Sequence, residues 1–327
     1  MNITVLSGGV GGARFTRGLL ALLRERLPDG AGGTTAHVTV VANTGDDLWL
    51  HGVRVCPDLD TLLYTLGGAV HEEQGWGRRD ESRRVSDDLA AYGLGWEWFT
   101  LGDLDLATHL ARTELLRRGL PLSAVVDRLA QRWRPGVTLL PMTDHEVETH
   151  VRTADGLLHF EEWWVRHRAA VPALGFEQVG LQGSSPAPGV LDAIAGADVV
   201  VVPPSNPVVS VGTILAVPGV LDALRTTTAR VVGVSPVVGG APVRGMADAC
   251  LAAIGVETSA IAVARHYGRR AVGGVLDAWL VDTADADAVA PLRAEGWDVA
   301  AAGTLMHDVP TTAGIAARAL ALVGLTP

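Results

Sequence analysis

MNITVLSGGVGGARF, residues 1–15, is the stretch whose reading decides the fold. A short apolar run, Ile3 to Leu6, stops at Ser7-Gly8-Gly9-Val10-Gly11-Gly12. Beyond it Phe15, Leu19, Leu20, Leu22 and Leu23 recur at three- and four-residue spacing, the period of a helix with one buried face. Strand, glycine turn and helix in that order aim backbone N–H groups and a helix N-terminus at a phosphate. Gly9, Gly11 and Gly12 are therefore candidate nucleotide-binding residues. The string lacks the third glycine of G-x-G-x-x-G, since Arg14 stands there, and it has no Gly-Lys-Ser/Thr. A tight turn without a ligand is the plain alternative.

Similar junctions recur along the chain. Val38 to Ala42 runs into Asn43-Thr44-Gly45-Asp46-Asp47, and the buried run Ala197 to Val202 ends in Pro203-Pro204-Ser205-Asn206-Pro207. Arg230–Val234 ends in Ser235-Pro236-Val237-Val238-Gly239-Gly240. Shorter strands are expected at Val137–Leu140, His150–Thr153 and Leu157–Phe160, with Asp155-Gly156 as a hairpin turn, and a further strand at Leu276–Val281. A helix is expected over Thr312–Val323. The fold class is α/β: a Rossmann-like, doubly wound, mainly parallel sheet in a single nucleotide-binding domain over 1–327. Ligands of such sheets sit outside the carboxyl ends of the strands, so four small-residue loops on one rim make a nucleotide pocket. Ser205 and Asn206 join the glycines as candidates.

Residues 71–135 differ in character. Glu72 to Arg84 is highly charged, and amphipathic patterns follow at Leu104–Leu116 and Leu122–Trp133. Six of the nine tryptophans fall between Trp76 and Trp164. This reads as a helical, tryptophan-rich insertion whose aromatics pack on the core, the favoured role for most of the rings, or line and cover a pocket for a flat ligand.

Acidic residues cluster beside the proposed rim. Asp46 and Asp47 follow one strand; Asp58 and Asp60 follow Cys56-Pro57, where proline favours a helix start with Asp58 in its first turn. Carboxylates from two loops beside a phosphate site are the usual means of holding Mg²⁺, which prefers a few carboxylates plus substrate oxygens. Ordinary turn acids are the alternative. Asp103, in Leu101-Gly102-Asp103-Leu104-Asp105, can equally be a helix N-cap. His51 and His109 are candidates for proton transfer or phosphate contact, and Arg14 and Arg244 for clamping a phosphate. No G-x-S-x-G elbow supports a serine nucleophile.

Bulk properties exclude other classes. A net charge of −10 argues against nucleic-acid binding. All 26 basic residues are arginine, whose fork suits phosphates. Two cysteines, Cys56 and Cys250, build neither a disulfide framework nor a zinc pattern. No run approaches the ~18 apolar residues of a membrane span, and no signal peptide is recognised, so a cytoplasmic protein without membrane partners is expected.

Six blocks in order then carry a resemblance that runs almost end to end. They are SGGVGGARF (7–15), NTGDDLWLHGVRVCPDLDTLLYTLGG (43–68), LGDLDLATHLAR (101–112), HFEEWWVRHRA (159–169), PPSNPVVSVGTIL (203–215) and SPVVGGAPVRGMAD (235–248). With them the chain resembles the CofD/FbiA transferases of deazaflavin coenzyme F420 biosynthesis, most of all the actinobacterial form. The resemblance implies Mg²⁺-dependent transfer of a phospho-organic acid from a guanosine-diphosphate-activated donor to the ribityl hydroxyl of the deazaflavin Fo, releasing GMP. The cargo is phosphoenolpyruvyl in the actinobacterial branch and 2-phospho-L-lactyl in the archaeal one. It also implies Asp46 and Asp60 as metal ligands and catalytic residues, with Asp60 near the acceptor hydroxyl. Thr100 and Asp103 would lie beside the deazaflavin, Thr100 where archaeal relatives carry lysine. A homodimer is expected. Two other readings are a non-catalytic nucleotide-sugar-binding regulatory protein sharing the GG-x-G opening, and a nicotinamide dehydrogenase using Asp46 or Asp47 to hold a ribose.

Overall fold

Seven strands form one wholly parallel sheet: β1 (Asn2–Ser7), β2 (His37–Ala42), β3 (Thr138–Pro141), β4 (Val199–Val202), β5 (Arg230–Val234), β6 (Ala278–Val281) and β7 (Asp298–Ala301). Their spatial order is β7-β6-β5-β4-β1-β2-β3, a doubly wound arrangement in which the chain reverses direction beside β1. These features come from a computed structural model that describes residues 1–94 and 98–327.

Alternation along the strands explains the two helical layers. In β4, Val199 and Val201 enter one hydrophobic core while Val200 and Val202 enter the other. All four are at most 1% exposed, and each contributes about 1.5–3 kcal/mol relative to an exposed side chain. The glycine-loop helix, Val10–Arg26, buries Phe15, Leu19, Leu20, Leu22 and Leu23 as its period requires. It lies along the terminal helix Val309–Leu322, close enough that a Cβ on Gly18 would stand 2.4 Å from Thr312 Cγ2.

Sequence periodicity and structure agree at Leu122–Trp133 and Arg230–Val234, and nearly so at Asp103–Arg117. Elsewhere tertiary context moves the ends. The strand expected from Ala197 starts at Val199, because the Asp198 carboxylate turns back to accept the Asn2 N–H at 2.7 Å. The turn expected at Asp155-Gly156 falls on Ala154 and Asp155, with Gly156 already paired to Thr153. Strand β7 carries too short an apolar run to be read from sequence. A hairpin of Leu48–Leu50 and Val53–Val55 also went unread, although His51 and Gly52 make its turn with φ of 49° and 78°.

The connection from β2 to β3 carries this hairpin and the helices Pro57–Leu66, Arg84–Ala91, Asp103–Arg117 and Leu122–Trp133. Leu122, Val125, Val126 and Leu129 of the last helix belong to the main core. The tryptophans divide among several environments. Trp133 packs edge-on against Tyr64, Trp163 is buried and donates to the Val171 carbonyl at 2.7 Å, and Trp76 is exposed. Trp96, part of the expected aromatic cluster, lies outside the described residues. Among the described residues no helix is long and apolar enough to cross a membrane.

Candidate functional site

The four loops read from sequence follow β1, β2, β4 and β5 at their carboxyl ends, and the first and third meet across the switch point. Gly8 N–H donates to Ser205 Oγ at 3.1 Å. A Cβ on Gly11 would stand 2.0 Å from the Pro204 carbonyl oxygen, and one on Gly12 would stand 1.9 Å from Ser7 Oγ. Neither Gly9, Gly11 nor Gly12 has a positive φ, so these glycines supply room for close approach. The helix behind them starts at Val10 without a side-chain cap. Its first-turn N–H groups, unable to find partners within the helix, suit an anion. Asn206 Oδ1 accepts from the N–H groups of Val208 and Val209 and its amide donates to Cys250 Sγ, so this side chain shapes the loop.

Asn43 is the keystone of the adjoining acidic nest. Fully buried, it donates to Asp46 Oδ2 at 3.2 Å and Asp58 Oδ2 at 2.9 Å, and accepts from Gly45 N–H at 2.9 Å. Pro57 opens the helix Pro57–Leu66, as its fixed φ favours, with Asp58 and Asp60 in the first turn. Two positions of helix rotate their carboxylates apart. Asp58 lies against Gly9, whose Cβ would stand 2.4 Å from Asp58 Oδ1.

Asp60 faces the other way, onto the helix Asp103–Arg117. It forms a close ion pair with the fully buried Arg112, and His109 Nδ1 lies 3.5 Å from Asp60 Oδ2. His109 Nε2 is 3.3 Å from Asp105 Oδ1, which also accepts from the Tyr64 hydroxyl at 2.6 Å. Asp105, His109 and Arg112 recur at i, i+4 and i+7, one face of the helix, so this constellation was readable although only His109 was singled out. Asp46 and Asp60 thus stand in two neighbouring nests. Asp47, between them in its electrostatic coupling, lies 3.9 Å from the buried Arg54.

Burial dominates the electrostatics. It pushes the carboxyl of Asp46 well above the usual range, helped by the charges of Asp58, Glu161 and Asp47. It raises Asp47 to about 7 against the pull of Arg54, Asp58 to about 6, and Glu161 to about 8. Asp60 is also raised by burial, with Arg112 and His109 opposing. Burial acts on Asp105 too, but His109 and Tyr64 hold it low. Among the described residues four buried carboxylate oxygens have no hydrogen-bond partner: Asp46 Oδ1, both of Asp47, and Asp60 Oδ2. Carboxylate oxygens that are dry, crowded and short of donors fit a divalent cation.

A pH dependence follows. Acids whose folded pKa is raised hold protons that the unfolded chain has lost, so stability falls as pH rises from the ordinary carboxylate range near ~4 to about 8. The metal-free protein is expected to melt at a lower temperature at pH 8 than at pH 6. Mg²⁺ is expected to raise the melting temperature more at pH 8. Calorimetric melts that are flat or rising over this interval would refute the acidic-nest account.

The remaining candidates have mainly structural partners here. Asp103 is the first residue of its helix, with Gly102 in the N-cap position, and its carboxylate accepts from the Ser82 N–H at 2.9 Å and hydroxyl at 2.7 Å. Thr100 Oγ1 accepts from Arg83 at 3.3 Å. Arg112, Arg54 and Glu161 were missed as members of the site, and Asn43 was read only as part of its loop. Glu161 stood inside a recognised block, but nothing local showed that its charge acts on Asp46.

A family model described as 2-phospho-L-lactate transferase CofD matches residues 3–315. Proteins named phosphoenolpyruvate transferase from Streptomyces coelicolor and Thermobifida fusca are each 56% identical over 326 residues, covering 98% of this chain and 98% of each relative. One from Mycobacterium sp. (strain KMS) is 51% identical over 335 residues and covers both chains completely. Two solved structures of a Bacillus halodurans protein, described in one as a member of the upf0052 family, are 19% identical with TM-scores of 0.58 and 0.61. They cover 92% and 98% of this chain and 92% and 99% of their own, a likeness that bears on the fold alone. Matched over nearly its whole length by the family model, and by relatives more than half identical, this chain belongs to the CofD family of 2-phospho-L-lactate transferases.

Proposed function

We propose that this chain transfers a phosphoenolpyruvyl group, with 2-phospho-L-lactyl as the other possible cargo, from a guanosine-diphosphate-activated donor to the ribityl hydroxyl of Fo, with Mg²⁺. The observation that carries this reading is the juxtaposition of an uncapped glycine-loop helix with buried, partnerless carboxylate oxygens at the switch point of the sheet. The names of the relatives in the preceding subsection support the phosphoenolpyruvyl cargo.

Each part of the chain has a task in this reaction. The first-turn N–H groups of the helix Val10–Arg26 bind a donor phosphate, and the glycines keep side chains out of its way. Asp46 and Asp60, one in each of the two neighbouring nests and each with an oxygen to spare, are the residues that would hold the cation, which would neutralise charge on the departing GMP. Asp58 is engaged by Asn43 and closes the glycine loop. Arg112 fixes Asp60, whose carboxylate takes the proton of the attacking hydroxyl as the new O–P bond forms and the bond to GMP breaks. Thr100 and Asp103 are the proposed deazaflavin contacts.

The test is to incubate the protein with Fo, Mg²⁺ and each of the two guanylylated donors and to weigh the product. Titration calorimetry is expected to show GDP binding and little affinity for UDP. Equal binding of UDP, with no product from either donor, would favour a non-catalytic nucleotide-binding protein instead.

A further inference from the structure

We propose that Arg14 and Arg244 form a clamp for the second phosphate of a nucleoside diphosphate, occupied in the free protein by a strap of this chain's own backbone. The proposal rests on the nucleotide reading above. The strap is His71–Gly77, closed on itself by Gly75 N–H donating to the His71 carbonyl at 2.7 Å and His71 N–H to the Gly77 carbonyl at 3.2 Å.

Two guanidinium groups hold it. Arg14 donates to the Glu72 carbonyl at 3.0 Å, and Arg244 donates to the carbonyls of Gln74 and Glu73. A Cβ on Gly75 would stand 2.9 Å from Arg244 Nη1, 3.6 Å from Arg14 Nη2 and 2.8 Å from Cγ1 of Val10, the first residue of the glycine-loop helix. Strap, arginines and helix N-terminus therefore share one small space. The Arg244 guanidinium also stacks on Trp76, 5.1 Å from the ring centroid.

A carboxylate in direct contact is what this arrangement lacks, although the Glu72 charge acts on Arg14 from beside Arg17. The Glu72 carboxylate is bidentate on Arg17, at 2.6 and 3.2 Å. Among the described residues no carboxylate lies within 4.0 Å of either clamp guanidinium. Burial and the nearby Arg14 charge lower the pKa of Arg244, as expected of two crowded cations. Among the described residues neutral carbonyls are their only hydrogen-bond acceptors, and bonds to an ionised oxygen are roughly twice as strong. A phosphate at the helix N-terminus would bring a second phosphate to the arginines, which would exchange carbonyls for it and release the strap.

Binding of GDP, GMP and inorganic pyrophosphate to the full chain tests this, with Arg14→Met and Arg244→Met. Each variant is expected to lose about tenfold or more in affinity for GDP and pyrophosphate and to bind GMP within about twofold of wild type. Unchanged GDP and pyrophosphate affinity, or an equal loss for GMP, would overturn the clamp. If wild type binds pyrophosphate in an arginine-dependent way but not GDP, the guanosine reading fails and the clamp stands. If it binds neither, both fail. Anion binding is also expected to change the emission of Trp76 as its stack with Arg244 breaks. The full emission change persisting in Trp76→Phe would overturn the exchange with the strap.

Discussion

Asp60→Asn is expected to lower turnover by about 10²-fold or more, the scale of deleting one preorganised electrostatic group from an active site. The substitution keeps the shape of the side chain and removes its charge. It therefore strikes the oxygen that has no hydrogen-bond partner, Oδ2, which in the proposed reaction serves both the cation and the acceptor proton. Asp46→Asn is expected to act mainly through the cation, raising the Mg²⁺ concentration needed for half-maximal rate. Steady-state rates against Mg²⁺ separate the two roles. Because Asp60 also pairs with Arg112, the melting temperature is measured on the same samples, so that a rate lost to unfolding is recognised. An Asp60→Asn enzyme of near-normal activity would remove Asp60 from the mechanism, and Asp58 would take its place as the candidate.

The fold was legible because its period changes are abrupt. Ile3–Leu6 runs straight into glycines and then into a three-and-four pattern, and the four valines of β4 announce a strand buried on both faces. The loops at the carboxyl ends were legible for the same reason, since small residues follow each apolar run. The hairpin at 48–55 was missed because three-residue strands carry too little alternation to stand out, even with His51-Gly52 at the turn.

The site was legible only in part. Asp46 and Asp60 could be named, but their partners come from elements far along the chain: Arg112 from a helix more than forty residues on, and Glu161 beyond β3. Such contacts depend on how the β2–β3 connection folds back, which no local pattern encodes. The glycines show a subtler difference. A glycine turn suggests unusual backbone angles, yet Gly11 and Gly12 have ordinary ones and are small because Pro204 and Ser7 press against them.

Arg112→Met is expected to destabilise the protein by about 3–5 kcal/mol, because it leaves the buried Asp60 charge without its cation. The Arg112 side chain is fully buried, and besides Asp60 it donates to the Arg54 carbonyl at 3.2 Å and touches His109 Nδ1 at 3.1 Å. Methionine fills similar space without strain, so most of the cost is electrostatic rather than a cavity. The double variant Arg112→Met/Asp60→Asn isolates that cost, since neutralising the stranded carboxylate is expected to restore part of the lost stability. Denaturant unfolding of the four proteins gives the coupling directly. If Arg112→Met unfolds within about 1 kcal/mol of wild type, the pair does not hold the second nest together, and Asp60 must be positioned by His109 and the turn after Cys56 alone. If the single variant is destabilised as expected and the double variant gains nothing back, the loss comes from the hydrogen bond to Arg54 that joins the hairpin to the helix Asp103–Arg117.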